Sequence, residues 1–480
     1  MQLRWLKKCG PNEILPGLKI DTMSHILISA TRKSSGKTTI SLGLAAALTE
    51  MDIEVQTFKK GPDYIDPMWL SRATARPCQN LDYYTMSEQE ILNAFSYYSH
   101  KARFSLIEGN KGLFDGLDLD GTNSNAALAK LLSCPVVIVI DSQGMTRGIA
   151  PLILGYLDFD HRLNIAGVIL NKVGGARHEK KLRATIEHYT DIPVLGVIQK
   201  NKDLEIPERH LGLTPTNEAP EVQAKINKIT SLVATQIDLD AIMKIADKAH
   251  IKSVPAPVLD YSKNKDISIG IARDSAFGFY YPGDMEALEA SGANLVNINM
   301  TKDAKLPNID GLFIGGGFPE TRMVELKANS SMMDSVKNAV EGGLPTYAEC
   351  GGLMYLARSI TWQGKTQEMT GVIPGDIIMH SEPQGRGYVR LRETGKGLWP
   401  SNGLGEISAH EFHYSSLTNL EGNFNFAYKM VRGNGIDGKH DGLIHKNLLA
   451  GFSHLRNVEA NLWATRFANF VRHNKKVQGQ

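Results

Sequence analysis

Cysteine is scarce in this chain of 480 residues, which carries only Cys9, Cys78, Cys134 and Cys350. None of the four forms a C-x-x-C pair, so a disulfide framework and a structural zinc site are both ruled out as organising features. Long hydrophobic runs are missing as well. Residues 135–140 are among the longest, strand-sized and far short of the roughly 20 residues that cross a bilayer. The first 20 residues are basic, but Gly10, Pro11, Pro16 and Gly17 interrupt them and no apolar signal-peptide core is present. A surplus of one charge is also lacking: 53 basic and 51 acidic side chains leave a net +2. Near-neutrality removes any electrostatic reason for nucleic acid or a membrane surface as partner. The expectation is a cytoplasmic protein in which any phosphate binding is local.

With 42% hydrophobic and 22% charged residues, the chain has the balance of a globular protein too large for one core. Apolar runs at 23–30, 104–107, 136–140, 165–170 and 194–198 read as buried strands, and helical stretches such as 39–51 and 177–189 lie between them. Such alternation predicts an α/β fold with a doubly wound parallel sheet. After a polar, helical stretch, two prolines and a charged run make the best linker, and a second alternating series begins at Ile267. The predicted organisation is an extension (1–22), a first α/β domain (23–250), a linker (251–265) and a second α/β domain (266–475).

Ser34-Ser35-Gly36-Lys37-Thr38-Thr39 follows the first strand and opens the first helix. A strand-to-helix loop of this kind points N–H groups at phosphate oxygens. Ser35, Gly36, Lys37, Thr38 and Thr39 are therefore the candidate ATP-binding residues, with Lys37 on the outer phosphates and the Thr38 hydroxyl on Mg²⁺. The usual form has a glycine five residues before Gly36, where Thr31 stands. Carboxylates at strand C-terminal ends project into the ligand crevice of an open α/β sheet. Asp63 and Glu108 are so placed, and with Thr38 they supply the hard oxygen ligands that Mg²⁺ prefers.

In the second half, Cys350 follows an extended segment and precedes Gly351-Gly352, the start of a helix. A helix N-terminus favours the thiolate, so Cys350 is the candidate nucleophile. Gly316 and Gly317 follow their own strand, and with Gly351 they are the candidate oxyanion donors. His454 is the first choice of base among 14 histidines, with His410 and His413 as competitors.

The combination of Gly36-Lys37-Thr38-Thr39, Lys60-Gly61-Pro62-Asp63-Tyr64-Ile65-Asp66-Pro67, Arg76-Pro77 with Asn80-Leu81-Asp82, and Glu108-Gly109 with Gly112-Leu113-Phe114-Asp115-Gly116 resembles the cobyrinic acid a,c-diamide synthase family. The resemblance extends from Met23 to about Arg472. It implies an N-terminal domain similar to dethiobiotin synthetase, Asn171 as the reader of the adenine edge, and substrate-side roles for Tyr64, Asp66 and Asp115. The second half resembles class I glutamine amidotransferase domains. Most of those carry a glutamate two residues after the histidine; here Arg456 stands there, as the diamide synthase branch implies, and what orients the imidazole is left open. The implied reaction is ATP- and glutamine-dependent amidation of the a and c acetates of a tetrapyrrole, with L-glutamine, ATP, Mg²⁺ and the macrocycle as partners and a homodimer as one assembly. Asn110-Lys111, together with 118–125 and 143–148, looks more like a branch that amidates sirohaem. Two rivals are a P-loop ATPase switch carrying an inactive amidotransferase-like module, and a ligase acting on another carboxylate.

Overall fold

The computed structural model describes residues 23–201, 206, 208–209, 212–217, 221–249, 265–400 and 405–478. The predicted extension and nearly all of the predicted linker lie outside the described residues. The N-terminal half is built on seven strands: β1 (Ser24–Ala30), β2 (Val55–Lys60), β3 (Gln79–Leu81), β4 (Phe104–Glu108), β5 (Val136–Asp141), β6 (Ile165–Val173) and β7 (Val194–Gln199). They pair in the order β3-β2-β4-β1-β5-β6-β7 and every pairing is parallel. β1, β2 and β4 are buried along their whole length, as in a sheet covered on both faces, although β2 carries Gln56, Thr57, Lys59 and Lys60 among its six residues.

Helix α1 (Lys37–Glu50) starts directly after the phosphate-type loop and buries ten of its residues, because its alanines and leucines leave no polar face. Helix α2 (Ile65–Thr74) buries Ile65, Trp69 and Leu70 and places Asp66 in its first turn. Both helices begin at the C-terminal edge of the sheet, so their first turns face the same crevice.

The C-terminal half departs from a plain alternating series. Its nine-stranded sheet begins with five parallel strands, in the order Ala293–Ile298, Ile267–Ala272, Gly311–Ile314, Thr346–Glu349, Leu448–Gly451. It continues antiparallel through His440–His445, Asn425–Arg432, Gly385–Glu393 and Glu406–His413. A separate four-stranded sheet holds Lys365–Glu368, Ala357–Trp362, Ile373–Met379 and Ser415–Thr418. The physical reason is the period: strands such as Gly385–Glu393 alternate buried and exposed positions, the signature of a sheet with one solvated face. Among the described residues no helix is long and apolar enough to cross a membrane.

Candidate active site

At the C-terminal edge of the first sheet, four elements converge on one buried ammonium. Lys59 on β2 and Glu108 on β4 are register partners, so their side chains stand side by side. Lys59 Nζ donates to Glu108 Oε1 at 2.9 Å and to Asp66 Oδ2 at 2.5 Å. The Thr38 hydroxyl, from the first turn of α1, donates to Glu108 Oε1 at 2.6 Å and to Asp66 Oδ2 at 3.2 Å. Burial disfavours the Lys59 charge, but Asp66 and Glu108 outweigh it and hold the ammonium well above the ordinary lysine range. Burial raises the Glu108 carboxyl, against the pull of Lys59. Sequence reasoning passed over Lys59.

The expected positions of Asp63 and Asp66 are exchanged. Asp63 Oδ1 accepts from the backbone N–H of Ile65 at 2.9 Å and of Asp66 at 3.0 Å, capping the start of α2, and its Oδ2 is 4.0 Å from Lys59. Asp66, expected on the substrate side, is the carboxylate beside Thr38 and Glu108. The donor set fits Mg²⁺: one hydroxyl, two carboxylates, and a buried Glu108 Oε2 with no hydrogen-bond partner. Among the described residues no group of three or more His, Cys, Asp or Glu side chains that could hold a metal ion is found.

The loop before α1 turns through Ser34 and Gly36, at φ 61° and 95°. A Cβ on Gly36 would fall 2.2 Å from Asn171 Nδ2, so only glycine fits. Asn171 does not stand free for a base: its Nδ2 donates to the Ser35 carbonyl at 2.8 Å and its Oδ1 accepts from Lys172 N–H at 2.9 Å. The Ser35 hydroxyl donates to the Arg32 carbonyl at 3.0 Å. Lys37 Nζ donates to the Lys111 carbonyl at 2.6 Å, and burial followed by the nearby Lys59 charge lowers it to about 8. Thr39 lies in the first turn of α1. Asp115, also expected on the substrate side, accepts from Gly112 N–H at 2.8 Å and closes its own loop.

In the other half, Cys350 sits between its strand and the short helix Gly351–Leu356 with φ 47° and ψ −99°. A non-glycine residue held there stores on the order of 1–3 kcal/mol and is characteristic of a nucleophile raised on a sharp turn. The expected thiolate is overturned. Burial, then the charges of Glu320 and Glu349, push the thiol far up, and a six-residue helix does not offset that. Cys350 is a thiol that needs a base. Gly351 and Gly317 are backbone neighbours, since a Cβ on Gly351 would lie 3.0 Å from Gly317 N. One on Gly316 would lie 2.7 Å from His454 Cε1, so the glycine cluster, thiol and imidazole form one site.

His454 and His410 bridge through their backbones, with rings stacked at 4.8 Å. His410 is held well below the ordinary histidine range by burial, then by His454 and Arg456. His413 points Nδ1 at the Ser415 carbonyl, 2.7 Å away. Tyr64, expected on the substrate side, lines the cavity between the halves, stacks on Phe279 and lies 5.3 Å from the His454 ring. Arg456 also faces the first half, donating to the Asn80 carbonyl at 2.5 Å and to Thr85 Oγ1 at 3.4 Å. A cavity of about 610 Å³ runs along this interface, with Lys60, Asp63 and Asn110 at one side and Cys350, His454 and Glu320 at the other.

A phosphate-type loop on a parallel sheet and, in the other half, a cysteine and histidine in a cavity that reaches residues 60–65 of the first half are the parts of a glutamine-hydrolysing, ATP-dependent carbon–nitrogen ligase. Residues 26–213 match the CobQ/CobB/MinD/ParA nucleotide binding domain, and residues 268–461 match the CobB/CobQ-like glutamine amidotransferase domain. Cobyrinate a,c-diamide synthase of Magnetococcus marinus is 43% identical over 457 residues, covering 93% of this chain and 97% of that protein. Those of Methanosarcina barkeri and Methanosarcina acetivorans are 39% and 40% identical, over 94% and 92% of this chain and 97% and 94% of their own lengths. The chain belongs to the cobyrinate a,c-diamide synthase family.

Proposed function

We propose that the enzyme amidates two acetate carboxylates of a tetrapyrrole through acyl phosphates, with ammonia drawn from glutamine. The observation that carries this reading is the single cavity linking Cys350 and His454 to Lys60, Asp63 and Asn110. His454 Nε2 takes the Cys350 proton as sulfur attacks the glutamine side-chain carbonyl, and N–H groups near Gly316, Gly317 and Gly351 receive the oxyanion. The imidazolium returns the proton to the departing nitrogen, ammonia leaves, and water then cleaves the glutamyl thioester. Glu320, a buried carboxylate in the cavity wall, has the charge to meet the glutamine α-ammonium.

In the other half the substrate carboxylate attacks the γ-phosphorus of ATP, ADP departs, and ammonia displaces phosphate from the acyl phosphate. Lys37 leaves the Lys111 carbonyl for the outer phosphates, while Asn171 keeps the Ser35–Gly36 turn in shape for the nucleotide. Thr38, Asp66 and Glu108 would hold Mg²⁺, with Asp63 at the edge of the cluster; bound there, the ion would neutralise charge on the phosphates. Lys59 bonds both carboxylates and holds them in place.

The macrocycle has a second candidate. Asn110 accepts from Lys60 Nζ at 3.2 Å in the cavity wall, putting a polar pair where the substrate edge would lie. On this second reading Asn110 and Lys111 tune recognition toward sirohaem or sirohydrochlorin in place of cobyrinic acid. Amidation rates on the three macrocycles, with ATP and glutamine, test both readings: a strong preference for cobyrinic acid removes the sirohaem reading, and no amidation of any of them removes the tetrapyrrole.

A further inference from the structure

An imidazole that accepts a proton at Nε2 must carry its own proton at Nδ1, and a buried Nδ1–H needs an acceptor. Two residues beyond His454 stands Arg456, whose guanidinium is turned onto the Asn80 carbonyl and the Tyr281 ring, 5.0 Å away. Among the described residues, Glu349, His410 and Tyr64 lie against the His454 ring, and Cys350 lines the same cavity. His410 directs its Nδ1 to the Tyr281 hydroxyl at 3.3 Å, and Tyr64 presents a ring. Glu349 alone brings a negative charge. It ends the strand Thr346–Glu349, immediately before the nucleophile, and its Oε2 lies 3.3 Å from His454 Nδ1.

We propose that Glu349 is the positioning residue of the glutaminase, accepting the Nδ1 proton of His454 and so leaving Nε2 bare toward Cys350. The carboxylate is well fixed for this task. Its other oxygen accepts from the Leu455 backbone N–H at 2.9 Å and from the Tyr347 hydroxyl. One carboxylate thus grips the ring of residue 454 and the backbone of residue 455 together. Tyr347 and Glu349 lie two apart in one strand, on the same face, which is why the tyrosine can brace it. The side chain is 4% exposed, so water does not compete for these bonds. Its charge also stabilises the imidazolium formed when the thiol proton moves to Nε2, and no proton transfer to Glu349 itself is required. The third member of the catalytic group comes from the residue before the cysteine rather than from the segment after the histidine.

This inference rests on the glutaminase reading of Cys350 and His454, and the experiment separates the two. Glutamine hydrolysis and ammonia-driven amidation are measured in the full-length enzyme and in Glu349→Gln, Glu349→Asp and Cys350→Ser. Glu349→Gln is expected to lose about 10²- to 10⁴-fold in glutaminase kcat, the upper end being the scale of converting an orienting aspartate to its amide. Its KM for glutamine and its ammonia-driven rate should stay near wild type. With the negative charge gone, the imidazolium is less favoured, so the acid limb of kcat/KM moves to lower pH. Glu349→Asp keeps the charge and recovers part of the rate. A Glu349→Gln enzyme with near-wild-type kcat and an unmoved acid limb overturns the inference. Should both activities vanish together, ¹⁵N spectra of wild-type protein labelled at histidine, assigned with His454→Gln, decide it: an Nδ1–H tautomer supports the inference and an Nε2–H tautomer overturns it. A wild-type enzyme without glutaminase activity, or a Cys350→Ser enzyme that retains it, refutes the parent reading instead.

Discussion

Replacing Lys59 with methionine tests the electrostatic heart of the nucleotide half. Lys59 Nζ holds Asp66 and Glu108 at 2.5 and 2.9 Å, and its side chain is only 4% exposed. At an effective dielectric near 20, each contact has a gross attraction of roughly 6 kcal/mol. Desolvation of a buried ammonium offsets most of that, so the net loss is set by the carboxylates left behind. Removing one partner of a buried ion pair costs about 3–5 kcal/mol, and that is the loss expected for Lys59→Met at pH 7.5. The pH dependence follows from the signs. The Lys59 pKa is raised on folding, so its contribution in the wild type is complete below the ordinary lysine range and is lost only at strongly alkaline pH. Burial raises Glu108, and Asp63 is raised by burial and by Asp66 to about 7; the folded variant takes up protons more readily than the unfolded chain there. Its deficit should therefore be largest above pH 7 and shrink toward about pH 4, where unfolded carboxyls titrate too. Urea denaturation across that range measures it. Millimolar MgCl₂ should raise the melting temperature of the variant more than that of the wild type, since the ion supplies the missing charge. A variant of wild-type stability, or a deficit constant from pH 4 to 8, refutes the account.

Three further outcomes are expected. Gly36→Ala should destabilise the protein by about 1–2 kcal/mol from the left-handed backbone alone, with more from the contact on Asn171, and adding Asn171→Ala should return only the steric share in urea melts. Alkylation of Cys350 by iodoacetamide should be slow at pH 7 and still rising at pH 9, because burial and the Glu320 and Glu349 charges keep the thiol protonated; a rate that has levelled off below pH 7 would mean a thiolate. Arg456→Met should leave the Asn80 carbonyl and Thr85 hydroxyl without their cross-interface donor, and the ratio of glutamate formed to amide formed should rise above wild type.

The parallel sheet was legible because buried parallel strands are written as short apolar runs: the predicted 136–140 and 194–198 each fall one residue short of the observed strand. The phosphate loop was legible for a similar reason, since a turn that needs Gly36 must show it. Lys59 was not. In Val55-Gln56-Thr57-Phe58-Lys59-Lys60 a lysine at a strand end reads as solvated, and its burial comes from register pairing with Glu108, a relation between strands. Asp63 could have been read better, because an aspartate three residues before Asp66 at a helix start is a capping signal. Cys350 was found, but its protonation was misjudged: the helix effect is local and visible in sequence, whereas desolvation depends on the whole fold.

The contacts joining the two chemistries were the least legible, and their arrangement explains why one segment serves both. Asp66 stands against Lys59 and Thr38, while Tyr64, two residues earlier, lies against the His454 ring. Asn80 fixes the segment between them, donating through one amide nitrogen to the carbonyls of Gly61 and Asp63, both at 2.8 Å. The carbonyl of the same Asn80 receives Arg456, two residues past His454. Asp82, next in that motif, accepts from the Tyr388 hydroxyl at 2.6 Å, across 306 positions of chain. Any rearrangement of residues 61–66 would therefore move a ring packed on His454. In a close-packed interface such a shift is taken up by discrete repacking, not smooth deformation. Ammonia released before the acyl phosphate exists would be wasted, and Tyr64 is where the geometry lets the first site bear on the second.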